Sequence, residues 1–416
     1  MQTNIQPDIL ATPEGQEADR ILRSCVHCGF CNATCPTYQV LGDELDSPRG
    51  RIYLIKEMLE SGSASKKTQL HLDRCLTCQS CETTCPSGVE YHKLLQFGRQ
   101  QVDQKNPRPL LERGQRWLLR HIISRRRLFA ALLRGGQIAR PLLPIGLKRT
   151  IPRREKLSTI KISNHQRQIV LLQGCAQPAL APNINHSTTR VMDALGIKVL
   201  TLKNEGCCGA LSHHMNATEQ ALASAKHNID VWWPYLQSKE GLQNDQGQNN
   251  PVEAIVISES GCGNFVKSYT DLLKNDVDYS EKMQHIKNLI KDLSEVLGKE
   301  DLSPFISKNP QTLAFQSPCT LQHGQGIKGS VEKLLTGLGH QLTNVPDGHL
   351  CCGSAGSYSI LQRELSQELR TKKLASLHSG APTLIASANI GCISHLRAGT
   401  DTPVKHWIEI LAKELD

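Results

Sequence analysis

Apolar residues recur at two different periods along the chain, and the change of period divides it. In SPRGRIYLIKEMLESGS (47–63), Ile52, Ile55, Met58 and Leu59 follow a helical repeat behind a Ser-Pro-Arg-Gly start. TQLHLDRCLTC (68–78) continues in the same manner. In RGQRWLLRHIISRRRLFAALLRGGQIARPLLPIGL (113–147), arginines alternate with Trp117, Leu118, Leu119, Ile122, Ile123, Leu128, Phe129, Leu132 and Leu133, which predicts a basic amphipathic helix. Past residue 167 the pattern becomes one of short strands. QIVLLQGC, AIVISESGC, TLAFQSPC and TLIASANIGC each run into a cysteine. Helical stretches such as NINHSTTRVMDALG and SVEKLLTGLG lie between them, followed by the apolar runs IKVLTL and HQLTNV. Strands alternating with helices predict parallel βαβ units, whose ligand sites lie beyond the carboxyl ends of the strands.

The chain has 416 residues, enough for several cores, and 16 cysteines. MQTNIQPDILATPEG has neither a basic n-region nor an apolar h-region, and no run reaches the roughly twenty apolar residues of a membrane span. A cytoplasmic location is expected, where thiols stay reduced. The cysteines are then expected to be metal ligands rather than staples.

Their spacing sharpens this. CVHCGFCNATCP (25–36) and CLTCQSCETTCP (75–86) share one pattern, Cys-x2-Cys-x2-Cys-x3-Cys-Pro, fifty positions apart. Structural zinc takes two separated Cys knuckles. Four cysteines in one compact loop closed by proline match the bacterial ferredoxin spacing, in which the fourth cysteine serves the other cluster. The expectation is one [4Fe-4S] cluster on Cys25, Cys28, Cys31 and Cys85 and another on Cys75, Cys78, Cys81 and Cys35, with Gly29 allowing the tight turn. Arg49 and Arg51 read as helix-capping or solvated arginines, or as a steering patch for an acidic partner.

The other eight cysteines also repeat. Cys175 is followed 32 positions later by Cys207-Cys208-Gly209 and then by Cys262. Cys319 is followed 32 positions later by Cys351-Cys352-Gly353 and then by Cys392, an internal repeat of 144 residues. All eight fall at strand ends. Each set can hold further metal, an iron–sulfur cluster or zinc; buried core cysteines are the alternative. His213, His214, His323 and His349 lie near these sets in sequence. They read as surface or core histidines, or as groups for a proton-coupled reduction.

Charge is concentrated. Residues 99–167 carry eighteen Lys/Arg against three Asp/Glu, a net +15 in a chain of net +9, so the rest is acidic. This segment is expected to meet an anionic membrane surface or a partner subunit. It contains no recognisable nucleic-acid module, and no nucleic-acid partner is expected.

Together, the two cysteine runs and the two Cys…Cys-Cys-Gly…Cys repeats resemble the iron–sulfur subunits that partner FAD dehydrogenases of 2-hydroxy acids. LGDELDSPRGRIYLIKEMLE, EGCCGALSHH, SGCGNFVKSY, SPCTLQH, HLCCGSAGSY, SANIGC and KHWIEI are most similar to the glycolate oxidase iron–sulfur subunits. The resemblance implies an α+β multidomain protein, with an α-helical ferredoxin-like domain followed by a duplicated α/β cysteine-rich domain. It implies a hetero-oligomer in which FAD-containing subunits oxidise glycolate to glyoxylate. This chain would relay the electrons toward a quinone at the cytoplasmic face of the inner membrane. Related readings are a subunit of a D-lactate or glycerol-3-phosphate dehydrogenase, or a zinc-stabilised membrane-tethering scaffold. The expected divisions are 1–98, 99–167, 168–300 and 301–416. No G-x-G-x-x-G follows a strand, GGQIAR and GCCGAL included, so flavin and substrate belong elsewhere and no catalytic residue is expected here. Heterodisulfide reductases end their repeats in Cys-x-x-Cys. Here Glu259 and Asn389 stand at that position, which leaves a four-ligand cluster or none.

Overall fold

The computed structural model describes residues 1–144, 148, 151–155, 157–160, 163–237, 242–243 and 249–416. The N-terminal part is helical: α1 (Pro13–Ser24), α2 (Pro48–Ser61), α3 (Lys66–Asp73) and α4 (Tyr91–Lys105). The Ser-Pro-Arg-Gly signal starts α2 for a local reason. The Ser47 hydroxyl accepts from the Gly50 amide, Pro48 occupies the first turn, and Gly62 ends the helix at φ 73°. A Cβ on Gly50 would stand 1.9 Å from the Glu44 carbonyl oxygen, so the turn before the helix admits only glycine there. Ile52, Ile55, Met58 and Leu59 are all buried, packed with Leu22, Leu72, Leu94 and Leu95 of the neighbouring helices. Each such side chain contributes about 1.5–3 kcal/mol.

The expected basic helix is two helices, α5 (Leu110–Ser124) and α6 (Arg126–Ala139), meeting at Arg125. Neither contains a buried residue. Ile145, Gly146 and Leu147, at the end of that sequence stretch, lie outside the described residues.

Two four-stranded parallel sheets follow. The first has the order β2-β1-β3-β4, with β1 (Arg167–Leu171), β2 (Ile197–Leu200), β3 (Val252–Ile257) and β4 (Ile290–Asp292). The second has the order β8-β7-β5-β6, with β5 (Thr312–Gln316), β6 (Gln341–Leu342), β7 (Leu384–Ser387) and β8 (Val404–His406). Both place the first strand of the repeat beside its second and third, and the fourth outside the third. Alternation along β1 sets the layers: Ile169 and Leu171 face a core shared with Leu313 and Ile385 of the second sheet and with Trp407, which starts the helix after β8. Val170 and Leu172 face a second core with Trp232 and Tyr269. The two repeats are thus one packed body. The fold is the α+β multidomain arrangement expected, with a cysteine-rich α/β unit duplicated behind a helical domain.

Candidate metal centres

The two N-terminal cysteine runs adopt the same backbone. His27 and Gly29 in the first, and Thr77 and Gln79 in the second, all have positive φ, between 55° and 84°. Gln79 accepts the left-handed conformation where the first loop has glycine. In the second loop the turn aims the Thr77 amide at Cys75 Sγ, 3.4 Å away. One cavity is lined by Cys25, Cys28, Cys31 and Cys85, the other by Cys35, Cys75 and Cys78, and Cys81 borders both. Each loop therefore sends its Cys-Pro cysteine to the other loop's cavity. Burial, and next the neighbouring Cys25, push the Cys31 thiol up to about 11. Burial and then Cys78 raise Cys81 well above its usual range. Four thiolates gathered this way repel one another unless a cationic cluster balances them, so the donor set fits a [4Fe-4S] cluster in each cavity.

The surroundings of the cavities differ. Arg51 is buried beside the second cavity, its Nη1 3.9 Å from Cys35 Sγ and donating to Thr37 Oγ1 at 3.1 Å. Arg49, beside the first, is half-exposed and pairs with Glu44 at 2.7 Å. Arg51 is thus neither a cap nor a surface residue.

In the repeats the sulfurs pair in the same way twice. Cys175 and Cys207 lie 3.6 Å apart and Cys208 and Cys262 3.2 Å; Cys319 and Cys351 lie 3.9 Å apart and Cys352 and Cys392 3.0 Å. The amides of Gly209 and Gly353 each donate to the first sulfur of the Cys-Cys pair, at 3.4 Å. The neighbouring sulfur (Cys207 for Cys175, Cys351 for Cys319), followed by burial, holds these two thiols well above their usual range, and Cys207 and then Cys262 do the same for Cys208. Two close sulfur pairs in each repeat offer thiolate donors for a metal centre here too.

Glu259 and Asn389 have a structural task at the position where the longer motif has cysteine. Each starts a helix, α7 (Ser260–Lys267) and α8 (Ile390–Arg397), by accepting from the Cys262 amide at 2.8 Å and the Cys392 amide at 3.0 Å. They also join the repeats. Glu259 Oε1 accepts from the Ile390 amide at 3.2 Å, and Asn389 Nδ2 donates to Ser260 Oγ at 3.2 Å.

The second ferredoxin-type loop meets the second repeat. Cys78 and Cys319 pack against one apolar group that includes Leu76, Cys351 and Tyr358. Tyr358 donates to the Arg74 carbonyl at 2.9 Å. Of the four histidines, His323 bridges Thr83 and the His349 carbonyl, His213 packs on Phe265 at 4.9 Å, and His214 is exposed. Sequence reasoning missed Arg99, which is buried with Nη2 2.7 Å from the Cys75 carbonyl, and His406, whose Nε2 lies 2.9 Å from the Ser258 carbonyl.

Two cluster-type cavities wired to a duplicated cysteine-rich unit define an iron–sulfur electron-transfer protein. A profile of the 4Fe-4S dicluster domain matches residues 21–89, and one of the cysteine-rich domain matches 169–267 and 313–397. The chain is 49% identical to the glycolate oxidase iron-sulfur subunit of Escherichia coli, over the full length of both. It is 28% identical to the probable glycolate oxidase iron-sulfur subunit of Bacillus subtilis, over 91% of this chain and 89% of that one. Lactate utilization protein A 2 of Bacillus cereus is 24% identical, over 60% of this chain and 99% of that one. The chain belongs to the glycolate oxidase iron–sulfur subunit family.

Proposed function

We propose that this chain is the electron relay of a glycolate-oxidising complex and that FAD-containing partner subunits deliver electrons to it. Cys25, Cys28, Cys31 and Cys85 hold one [4Fe-4S] cluster, and Cys75, Cys78, Cys81 and Cys35 hold the other. The observation that carries this reading is the pair of cavities with exchanged Cys-Pro cysteines. When bound, such clusters would accept and pass electrons singly, so a flavin reduced by two electrons would be emptied in two one-electron steps. The chain's own residues fix the loops and bring Cys78 beside Cys319. The cysteines of each repeat hold further metal, iron–sulfur before zinc.

The acceptor in this reading is a membrane quinone, and helices α5 and α6 lie on the cytoplasmic face of the inner membrane. Leu110, Leu111, Trp117, Leu118, Leu132 and Ile138 are exposed on this pair among its arginines, a composition suited to anionic lipid. No helix among the described residues is long and apolar enough to cross a membrane.

The test is to purify the complex anaerobically with Cys28→Ser or Cys78→Ser. Glycolate should still reduce the flavin in stopped flow, while dye or quinone reduction is lost. Loss of flavin reduction as well would remove the relay role.

A further inference from the structure

The two cluster cavities are similar in ligands and unlike in charge. The first opens at the surface: Cys28 is exposed, flanked by Val26 and Phe30, which are 67% and 62% exposed. Its guanidinium, Arg49, is neutralised by Glu44, with both side chains meeting solvent, and the Met1 amino group that donates to the Cys25 carbonyl at 3.0 Å sits on a partly exposed residue. The second lies inside, against the second repeat. Burial alone would make it the harder site to reduce, because an added electron is negative charge removed from water.

The charges around the second cavity work the other way. The Arg51 side chain is 1% exposed and shares the single buried carboxylate of Asp46 with Arg74, at 3.2 and 2.9 Å. Arg99 is buried and reaches the same loop, donating to the Cys75 carbonyl at 2.7 Å and to Thr77 Oγ1 at 3.2 Å. Among the described residues, no carboxylate pairs with Arg99. The remaining acid at the cavity, Glu82, is paired with His92 at 2.9 Å. The balance is an excess of buried guanidinium. A charge at an effective dielectric of about 20 acts roughly four times as strongly as one in water. Net charge and hydrogen bonds near the sulfurs are among the factors that set cluster potentials.

We propose that the buried guanidiniums of Arg51 and Arg99 hold the second cluster at the higher reduction potential of the two, so that electrons run from the surface cluster inward to the second repeat. In that step one electron leaves the first cluster, which is oxidised by one, and reduces the second by one; no bond or proton moves. The inference rests on the cysteine assignment proposed above.

The test is a potentiometric titration of the full chain, purified anaerobically and followed by electron paramagnetic resonance. Cys28→Ser and Cys78→Ser mark which signal belongs to which cavity. In the parent chain the second cluster should be reduced first. Arg99→Gln and Arg51→Met should lower its midpoint by an amount worth about tenfold in the intercluster equilibrium, about 59 mV for one electron. Arg51→Lys should keep it near the parent value, and Arg49→Gln should leave it unmoved. Should Arg51→Met fail to fold, Arg99→Gln and Arg51→Lys still decide the matter. Two cluster signals with the second the lower, or unmoved in Arg99→Gln, would overturn the role of the arginines. Fewer than two cubane signals in the parent chain would instead overturn the cysteine assignment.

Discussion

The Thr83 hydroxyl lies 2.8 Å from Nδ1 of His323, joining residues 240 positions apart, the first two past Cys81 and the second four past Cys319. His323 Nε2 donates in turn to the His349 carbonyl at 2.9 Å. One ring thereby clamps the ferredoxin-type domain to the second repeat.

Replacing His323 by Ala removes both contacts and leaves the His349 carbonyl without this donor. A loss of about 1–3 kcal/mol is expected in denaturant unfolding followed by the visible cluster absorbance. Thr83→Val should cost less, about 1 kcal/mol: it removes the hydroxyl's contacts to His323 and the Ser80 carbonyl, but the His349 carbonyl keeps its donor.

His406 gives the chain an acid-sensitive joint. Burial lowers its ring to about 3, and its Nδ1 accepts from the Ile408 amide at 3.2 Å, so the folded protein holds it neutral. Between roughly pH 6.5 and 3 the unfolded chain binds a proton that the folded chain refuses. Its contribution is therefore full above about pH 6.5 and falls by about 1.4 kcal/mol per unit of acidification below it. His406→Gln should lessen the pH slope of the melting temperature between about pH 5.5 and 4.5 by about one proton's worth. An unchanged slope would place the titrating group elsewhere.

For α5 and α6, attachment to vesicles with anionic lipid should weaken with salt, as the screening length falls from about 8 Å to about 3 Å near 1 M. Reversal of Arg125, Arg126 and Arg127 to Glu should move the whole complex to the soluble fraction. Release of this chain alone, its partners staying on the membrane, would make the pair of helices a subunit interface.

Metal counting bears on the repeats. The full chain should carry more than the eight irons that two cubanes supply. Cys208→Ser or Cys352→Ser should lower the count toward eight without removing the ferredoxin-type signals. Zinc in stoichiometric amount and eight irons would make the repeats structural.

Much of this was legible in the sequence because it is local. A cysteine spacing sets a loop, and the Ile52, Ile55, Met58 and Leu59 stripe sets a buried helix face. Six strand runs were apparent; β4 and β8 were not, since three residues such as Ile290–Asp292 carry almost no periodic signal. Arg51 lies one turn before Ile55, on the stripe side, and that offset was the available hint of its burial. The meeting of Cys78 with Cys319 was beyond reach. It depends on how the helical domain docks on the second sheet, which no short window encodes.

The exchanged Cys-Pro cysteines bear on how the protein is made. A chain growing from its N-terminus presents Cys25, Cys28 and Cys31 well before Cys85 reaches the same cavity, and Cys35 waits for a loop that has not been synthesised. On the cysteine assignment proposed above, neither ligand set is complete until both loops exist and α2 and α3 have folded between them. Loading of iron and sulfide is then a single late event, and a truncated or half-folded product has no finished site in which to retain either.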